Sequence, residues 1–168
     1  TIYYPEDAKS LLTITLSMES GGIGWIDDIQ LEQGEVANLY NLIENSDFQN
    51  GIGDWEILLT PRREGYELEE PAKVVTFQNG STALKVHGDP YFGEVIQKEF
   101  LVSGKAGDTY HLCFWYKNTG MEETAGPTAN KKVLIGFDYG ETEDPHCFIP
   151  RGNFTANQTE WQFFEETF

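Results

Sequence analysis

The sequence predicts an all-β protein of antiparallel strands, and three observations carry that prediction. Apolar and polar residues alternate along 8–18 and again along 109–117, which is typical of strands with one buried face. Asn79-Gly80 lies between the apolar runs 74–77 and 82–86, and this dipeptide is the strongest short signal for a β-hairpin. The chain also contains 11 Phe, 8 Tyr and 4 Trp residues, and aromatic residues favour sheets.

The first two predicted strands lie at the N-terminus. Residues 8–18 form the first, and Ser20-Gly-Gly22 is expected to turn it into the second as an antiparallel hairpin. Four apolar side chains of the second strand fall on one face by simple alternation: Ile23, Trp25, Ile29 and Leu31.

Asp27 interrupts that apolar face, and a carboxylate in such a place needs a partner. Two interpretations stay open on the residues alone. Asp27 either lies at a strand end, where backbone amides cap it, or binds a hard cation such as calcium.

The rest of the chain alternates between short strands and loops rich in Gly, Pro, Asn and Asp. Residues 45–53 are predicted to be a loop, and Trp55 opens the next strand. The later predicted strands are 74–77, 82–86, 95–102, 109–117, 133–139, a short strand at 147–149, and a last strand led by Trp161.

The central strand, 109–117, has two faces that both contain aromatic residues. One set is Tyr110, Leu112, Phe114 and Tyr116, and the other is His111, Cys113, Trp115 and Lys117. Alternation by itself allows either set to face the core.

Two stretches resemble jelly-roll carbohydrate-binding modules of the family 4, 9 and 22 type, which share a galactose-binding-like fold. Asp-Asp-Ile-Gln-Leu at 27–31 resembles their closing strand. Asn-Leu-Ile-Glu-Asn-Ser-Asp-Phe at 41–48, followed by Trp55, resembles their opening strand. The closing strand joined to residues 34–45 is similar to tandem modules in secreted YD-repeat (Rhs-like) wall proteins of Gram-positive bacteria.

The resemblance implies an antiparallel β-sandwich of jelly-roll topology, carbohydrate binding, and an extracellular or cell-wall location. It also implies that Tyr-x-Leu-x-Phe of the central strand faces inward, which leaves His111, Trp115 and Lys117 on the opposite face.

The order of the two stretches is reversed, because the closing strand precedes the opening strand. Residues 1–34 would supply closing strands, 33–40 a connector, and 41–168 the opening and central strands. Placed before Thr1, residues 161–168 give continuous module sequence, so we expect one module over 1–168 rather than the tail of one and most of the next. The module is circularly permuted, or exchanges 1–34 with a second copy in a homodimer, or has 1–34 only loosely attached.

The net charge of −17 makes nucleic acid and anionic membranes poor partners, because both would be repelled. No apolar run approaches the roughly 20 residues of a membrane span, so we expect a soluble piece of a larger protein. The two cysteines, Cys113 and Cys147, leave a single disulfide and two buried thiols both open.

The sequence offers little for catalysis, and we expect a protein that is not an enzyme. The three histidines lack metal-ligand spacing, and neither a Gly-x-Ser-x-Gly elbow nor a phosphate-binding glycine loop is present. The chain has 28 acidic residues, so any pair chosen as a glycosidase-like dyad would be arbitrary.

A sugar site would combine an aromatic ring, which stacks on the C–H face of a pyranose, with polar side chains at its rim. The resemblance places such groups on the concave sheet or in loops at one edge. The candidates are Trp115, Lys117, His111, Tyr91, Phe92, Tyr66 and Arg62, with Arg63 beside the last. The competing interpretations are core packing for Trp115 and loop packing for Tyr91.

The resemblance also implies a structural calcium ion, with Asp27, Asn45, Asp47 and Gln49 as candidate ligands. Gln49 stands where the family usually has Glu, and its amide oxygen is a weaker ligand. We therefore expect a non-catalytic module that binds polysaccharide or cell-wall glycan. The alternatives are a structural spacer of the same fold without glycan binding, and a jelly-roll enzyme with two facing carboxylates.

Overall fold

A computed structural model of the chain describes residues 10–17, 22–34, 40–61, 70–87, 92–102, 109–120, 133–138, 146–151 and 157–167. These residues contain ten strands and no helix. The strands are β1 (Ser10–Ser17), β2 (Ile23–Gln33), β3 (Glu56–Pro61), β4 (Lys73–Thr76), β5 (Thr82–His87), β6 (Phe92–Val102), β7 (Tyr110–Thr119), β8 (Val133–Asp138), β9 (His146–Arg151) and β10 (Gln162–Thr167). Every pairing is antiparallel, so the prediction of an all-β antiparallel chain is confirmed. Across these ranges no helix could cross a bilayer.

The strands form two five-stranded sheets. The first sheet has the order β3-β6-β1-β8-β9, and the second has the order β10-β7-β2-β5-β4. The predicted Asn79-Gly80 hairpin is confirmed as the β4–β5 pair, with Gly80 at a φ of +85° in the turn. Positive φ at this position is why glycine is favoured there.

The two N-terminal strands do not form the predicted hairpin. β1 lies between β6 and β8 in the first sheet, whereas β2 lies between β7 and β5 in the second. Both strands contribute to one buried cluster, Ile14 from β1 and Leu31 from β2. Burying two apolar faces against one core was therefore favoured over pairing two neighbouring strands edge to edge.

A β-bulge in β2 overturns the predicted single apolar face. Asp27 pairs with Trp115 and Gln30 with Cys113, so two residues of β2 stand opposite Phe114 of β7. The extra residue reverses the alternation. Before the bulge Trp25 shares a face with Lys117, and after it Leu31 is fully buried opposite Leu112.

Residues 41–48, which resemble an opening strand, form bends and turns instead. They still run along the second half of β2. The Asn41 amide accepts from Leu31 N at 3.0 Å and donates to Ile29 O at 2.9 Å, and Ile29 N donates to Ser46 O at 3.1 Å. The predicted loop at 45–53 is confirmed, and Phe48 and Trp55 pack in the core with ring centroids 5.8 Å apart.

The buried cluster draws on both sheets and on this loop. Its members include Ile14 and Ile96 of the first sheet, Leu31, Leu84, Leu112 and Phe114 of the second sheet, and Ile43, Phe48 and Trp55 of the loop. The opposite face of the second sheet points away from this cluster, and we call it the outer face.

Candidate functional site

The central strand β7 divides its side chains between core and outer face. Tyr110, Leu112 and Phe114 are buried in the core cluster, and Trp115 is 41% exposed. The inward set is therefore the one that the resemblance implies, and Trp115 and Lys117 lie on the outer face.

An exposed aromatic pair lies in the middle of the outer face. Phe163 of β10 stands directly opposite Trp115, and the ring centroids are 5.1 Å apart at an interplanar angle of 52°. The two rings are 41% and 49% exposed. Two large apolar rings left open to water side by side mark a surface that could bind a ligand.

Lys117 lies beside this pair, enclosed by three further rings that we call the aromatic cage. Its Nζ is 4.5 Å from the ring centroid of Phe77, 4.9 Å from that of Trp161 and 5.2 Å from that of Trp25. All three distances are in the range of cation–π attraction.

The cage joins opposite edges of the second sheet. Phe77 follows β4 at one edge, and Trp161 precedes β10 at the other. Their ring centroids are nevertheless 6.0 Å apart in an edge-to-face arrangement. Aromatic side chains from both edges therefore come together around Lys117, which stays partly exposed.

His111 lies at the other end of β7 and is not an exposed rim residue. It is buried, its Nδ1 is 3.1 Å from Thr167 Oγ1, and its Nε2 is 4.0 Å from Glu165 Oε2. The neighbouring Glu32 is fully buried and accepts a hydrogen bond from Gln30 Nε2. These contacts make His111 part of a packed polar cluster.

Cys113 belongs to the same cluster as a free, buried thiol. Its Sγ is 3.8 Å from Gln30 Oε1. Burial, followed by the charges of Glu32 and Glu165, raises the pKa of the thiol. A thiol held in the protonated form is a poor nucleophile, which agrees with a packing role.

The candidate cation ligands lie around the bulge. Asp27 is at its start, in mid-strand rather than at a strand end, and its Oδ1 accepts from Asp28 N at 2.8 Å. Desolvation, with smaller contributions from the charges of Asp28 and Asp47, raises the pKa of Asp27 to about 6. Desolvation and Asp47 also raise the pKa of Asp28. The charges of Asp28 and Asp47 therefore disfavour the ionised form of Asp27, and the charge of Asp47 disfavours that of Asp28.

The candidate ligands in the loop differ in how well they suit a cation. Asp47 Oδ1 accepts from Gln49 N at 3.2 Å, and the Asn45 amide is used at both ends, accepting from Asn50 N and donating to Gly51 O. Gln49 is exposed. In the part of the chain that the structure covers, no three His, Cys, Asp or Glu side chains form a metal-binding group.

The other predicted site residues are only partly placed. Tyr91, Tyr66, Arg62 and Arg63 lie outside the described residues, and Phe92 begins β6 in the first sheet. Sequence reasoning missed four aromatic residues of the outer face: Trp25, Phe77, Trp161 and Phe163. Trp161 and Phe163 are two residues apart in one extended stretch, which is a signal for a shared face, whereas the bulge concealed the true face of Trp25.

Comparison with known proteins finds similarity over only a short part of the chain. No family model matches it, and no solved structure matches it. A stretch of 36 residues is 42% identical to the tRNA nuclease WapA of Bacillus subtilis strain 168 and to the tRNA(Glu)-specific nuclease WapA of Bacillus subtilis subsp. natto strain BEST195. The match covers 21% of this chain and 2% of each relative.

Proposed function

We propose that this chain is a non-catalytic carbohydrate-binding module that attaches a secreted or cell-wall protein to glycan. The observation that carries the proposal is the exposed Trp115–Phe163 pair on a rigid sheet, with further aromatic rings beside it. A sugar ring presents a face of C–H groups to an aromatic ring, and its hydroxyls need polar partners at the rim. Asp27, directly across from Trp115, and Lys117, two residues along, are such partners.

We also propose that the module is a jelly-roll β-sandwich of the galactose-binding-like type, permuted so that its closing strands come first. Two antiparallel five-stranded sheets that share a buried cluster support the sandwich. The internal positions of β1 and β2, each between two strands of the same chain, support closure within one molecule. The resemblance to modules of YD-repeat wall proteins supports the extracellular location.

The binding proposal is tested by replacing Trp115 with alanine. Trp115→Ala removes the larger ring of the pair, and we expect glycan binding on an array or in affinity electrophoresis to weaken by about tenfold or more. Tyr40→Ala is the matched control, because Tyr40 is an exposed aromatic residue in the connector and not in the pair. The melting temperatures of the variants establish that each is folded.

Two results would count against carbohydrate binding. One is a folded wild-type chain that binds no glycan on a broad array. The other is binding that Trp115→Ala and Tyr40→Ala reduce equally, since the outer face would then have no special role.

The second candidate is a structural spacer of the same fold, and a specific observation favours it. Three of the rings on the outer face are already occupied by the chain's own Lys117, and His111 and Glu32 are buried. A spacer would bind no glycan and would instead contact neighbouring modules through this face.

We propose a structural calcium ion at the bulge, with the carboxylates of Asp27 and Asp47 as ligands. The raised pKa values of Asp27 and Asp28, to which the charge of Asp47 contributes, support this placement, since a cation would offset the repulsion. Asn45 and Gln49 are the remaining candidates, and Asn45 is the less suited because it already holds the loop. Such an ion would join the loop to β2.

Calcium binding predicts a lower melting temperature in excess chelator than in added calcium. Asp27→Asn should reduce that difference, because it removes a charged ligand. An identical melt with chelator and with calcium would remove the ion from the proposal and leave the sugar site untouched.

A further inference from the structure

We infer that Lys117 makes the outer face selective for glycans whose sugars carry an anionic substituent, a carboxylate or a phosphate. The inference rests on the proposed carbohydrate binding and names the class of glycan. It follows from the surroundings of Lys117, from the distribution of charge around Trp115, and from the net charge of the chain.

Lys117 forms no ion pair with any carboxylate of the described residues, although the chain has 28 acidic residues and 11 Lys and Arg. Lysines elsewhere on the second sheet are paired. Glu70 lies 2.8 Å from Lys85 Nζ and 3.6 Å from Lys73 Nζ. A partly buried ammonium ordinarily has an acidic partner, so an ammonium that is unpaired among the described residues suits an anionic ligand.

The aromatic cage supports the ammonium without neutralising it. Cation–π attraction to Trp25, Phe77 and Trp161 offsets part of the desolvation cost, and the rings come from three separate parts of the chain: β2, the end of β4 and the start of β10. The side chain is therefore fixed before a ligand arrives, so that less conformational entropy is lost on binding. An ammonium held in place is a strong hydrogen-bond donor to an anion.

The charges around the Trp115–Phe163 pair would orient a bound sugar. Lys117 lies two residues from Trp115 on one side, about 7 Å along the strand. Glu165, paired with Cys113, lies two residues away on the other side, and Asp27 is directly across. A sugar stacked on Trp115 and Phe163 would then point an anionic group toward Lys117 and its hydroxyls toward the carboxylates.

The net charge of −17 further narrows the class of anionic glycan that is expected to bind. A densely charged polyanion would be repelled by the whole chain. An isolated anionic sugar in a mostly neutral glycan would not, because exposed charges are screened beyond about 8 Å at physiological ionic strength. The expected ligand is thus a glycan with sparse uronic acid or sugar phosphate.

The experiment compares wild type, Lys117→Met and Lys117→Arg on an array that holds neutral oligosaccharides beside their uronic-acid and sugar-phosphate counterparts. Methionine keeps much of the apolar length that fills the cage, and arginine keeps the charge. We expect wild type to bind an anionic member of a pair more tightly than its neutral counterpart. The ratio of the two affinities should fall by about tenfold in Lys117→Met, and Lys117→Arg should retain most of it. The uronic-acid and phosphate arms show which anion is recognised.

The salt dependence of binding is a second measurement, and a purely structural role of Lys117 would not affect it. Wild-type affinity for the anionic probe should fall with added salt, while affinity for the neutral probe should not. This comparison needs no variant, so it holds even if Lys117→Met fails to fold.

The outcomes separate this inference from the function on which it rests. Equal binding of neutral and anionic probes by wild type, or an anionic preference that survives in folded Lys117→Met, would overturn the role of Lys117 and leave carbohydrate binding standing. Binding of no probe would overturn both.

Discussion

Asp27 shows how the environment of one side chain controls its charge. It lies at a bulge in mid-strand, directly opposite Trp115, and desolvation with the nearby charges of Asp28 and Asp47 raises its pKa to about 6 from 3.8. The folded chain therefore binds a proton at Asp27 more tightly than the unfolded chain does. Ionised Asp27 destabilises the fold unless a cation offsets it.

The pKa of Asp27 predicts how stability depends on pH in the presence of chelator. Because the folded pKa is raised, the contribution of Asp27 to stability is most favourable below the ordinary value of 3.8 and is lost as pH rises through about 6. Asp27→Asn removes this loss, so its melting temperature should exceed that of wild type above about pH 6 and approach it below about pH 4. Thermal melts across that range measure the difference.

Glu160→Gln is the control for this series, because it removes an exposed carboxylate distant in sequence from the bulge. Its difference from wild type should change little with pH. A constant difference between Asp27→Asn and wild type across the range would contradict the assigned cause.

At the scale of the element, the bulge in β2 positions the candidate site. It places Trp25 and Asp27 on the outer face, while Ile29 and Leu31 are buried. Asp28 occupies the bulge with a φ of +50°, in the left-handed region that Asp and Asn enter more readily than other non-glycine residues. Without the extra residue, one half of β2 would present the wrong side chains to the core.

Deletion of Asp28 tests the role of the bulge. The deletion forces β2 into a single alternation, so the side chains of either the Trp25 half or the Leu31 half must face the wrong side of the sheet. We therefore expect the cooperative thermal transition to disappear or its melting temperature to fall greatly. Asp28→Gly keeps the bulge and relieves the positive φ, and it should melt at or above the wild-type temperature. Similar melts for the deletion and for Asp28→Gly would show that the phase of β2 is unimportant.

At the scale of the whole molecule, the N-terminal strands occupy internal positions in both sheets. β1 lies between β6 and β8, and β2 lies between β7 and β5. These pairings join the beginning of the chain to segments far along the sequence. The N-terminal strands are therefore central to the sheets rather than an appendage.

Closure within one chain predicts a monomer in solution. Light scattering after size exclusion should give the mass of one chain, independent of protein concentration, because each internal strand already has partners on both sides. A stable dimer that dissociates only on unfolding would instead indicate that residues 1–34 are exchanged between two copies. The sugar-binding prediction is unaffected by either result.

The sequence by itself determined the strands, the β4–β5 hairpin and the loop at 45–53, because these follow from local alternation and turn chemistry. Together with the family resemblance, it also placed Trp115 and Lys117 on the face opposite the core. It did not determine which sheet β1 and β2 join, since pairing partners are distant in sequence.

Tertiary structure alone decided which side chains of β2 face the core on each side of the bulge. It also decided which residues form the aromatic cage. Alternation fixes faces only within an uninterrupted strand, and the bulge appears when β2 is paired with β7. The cage unites Trp25 of β2 and Lys117 of β7 with Phe77, which follows β4, and Trp161, which precedes β10 at the opposite edge of the sheet. Their proximity depends on how the whole sheet is assembled, which no local pattern records.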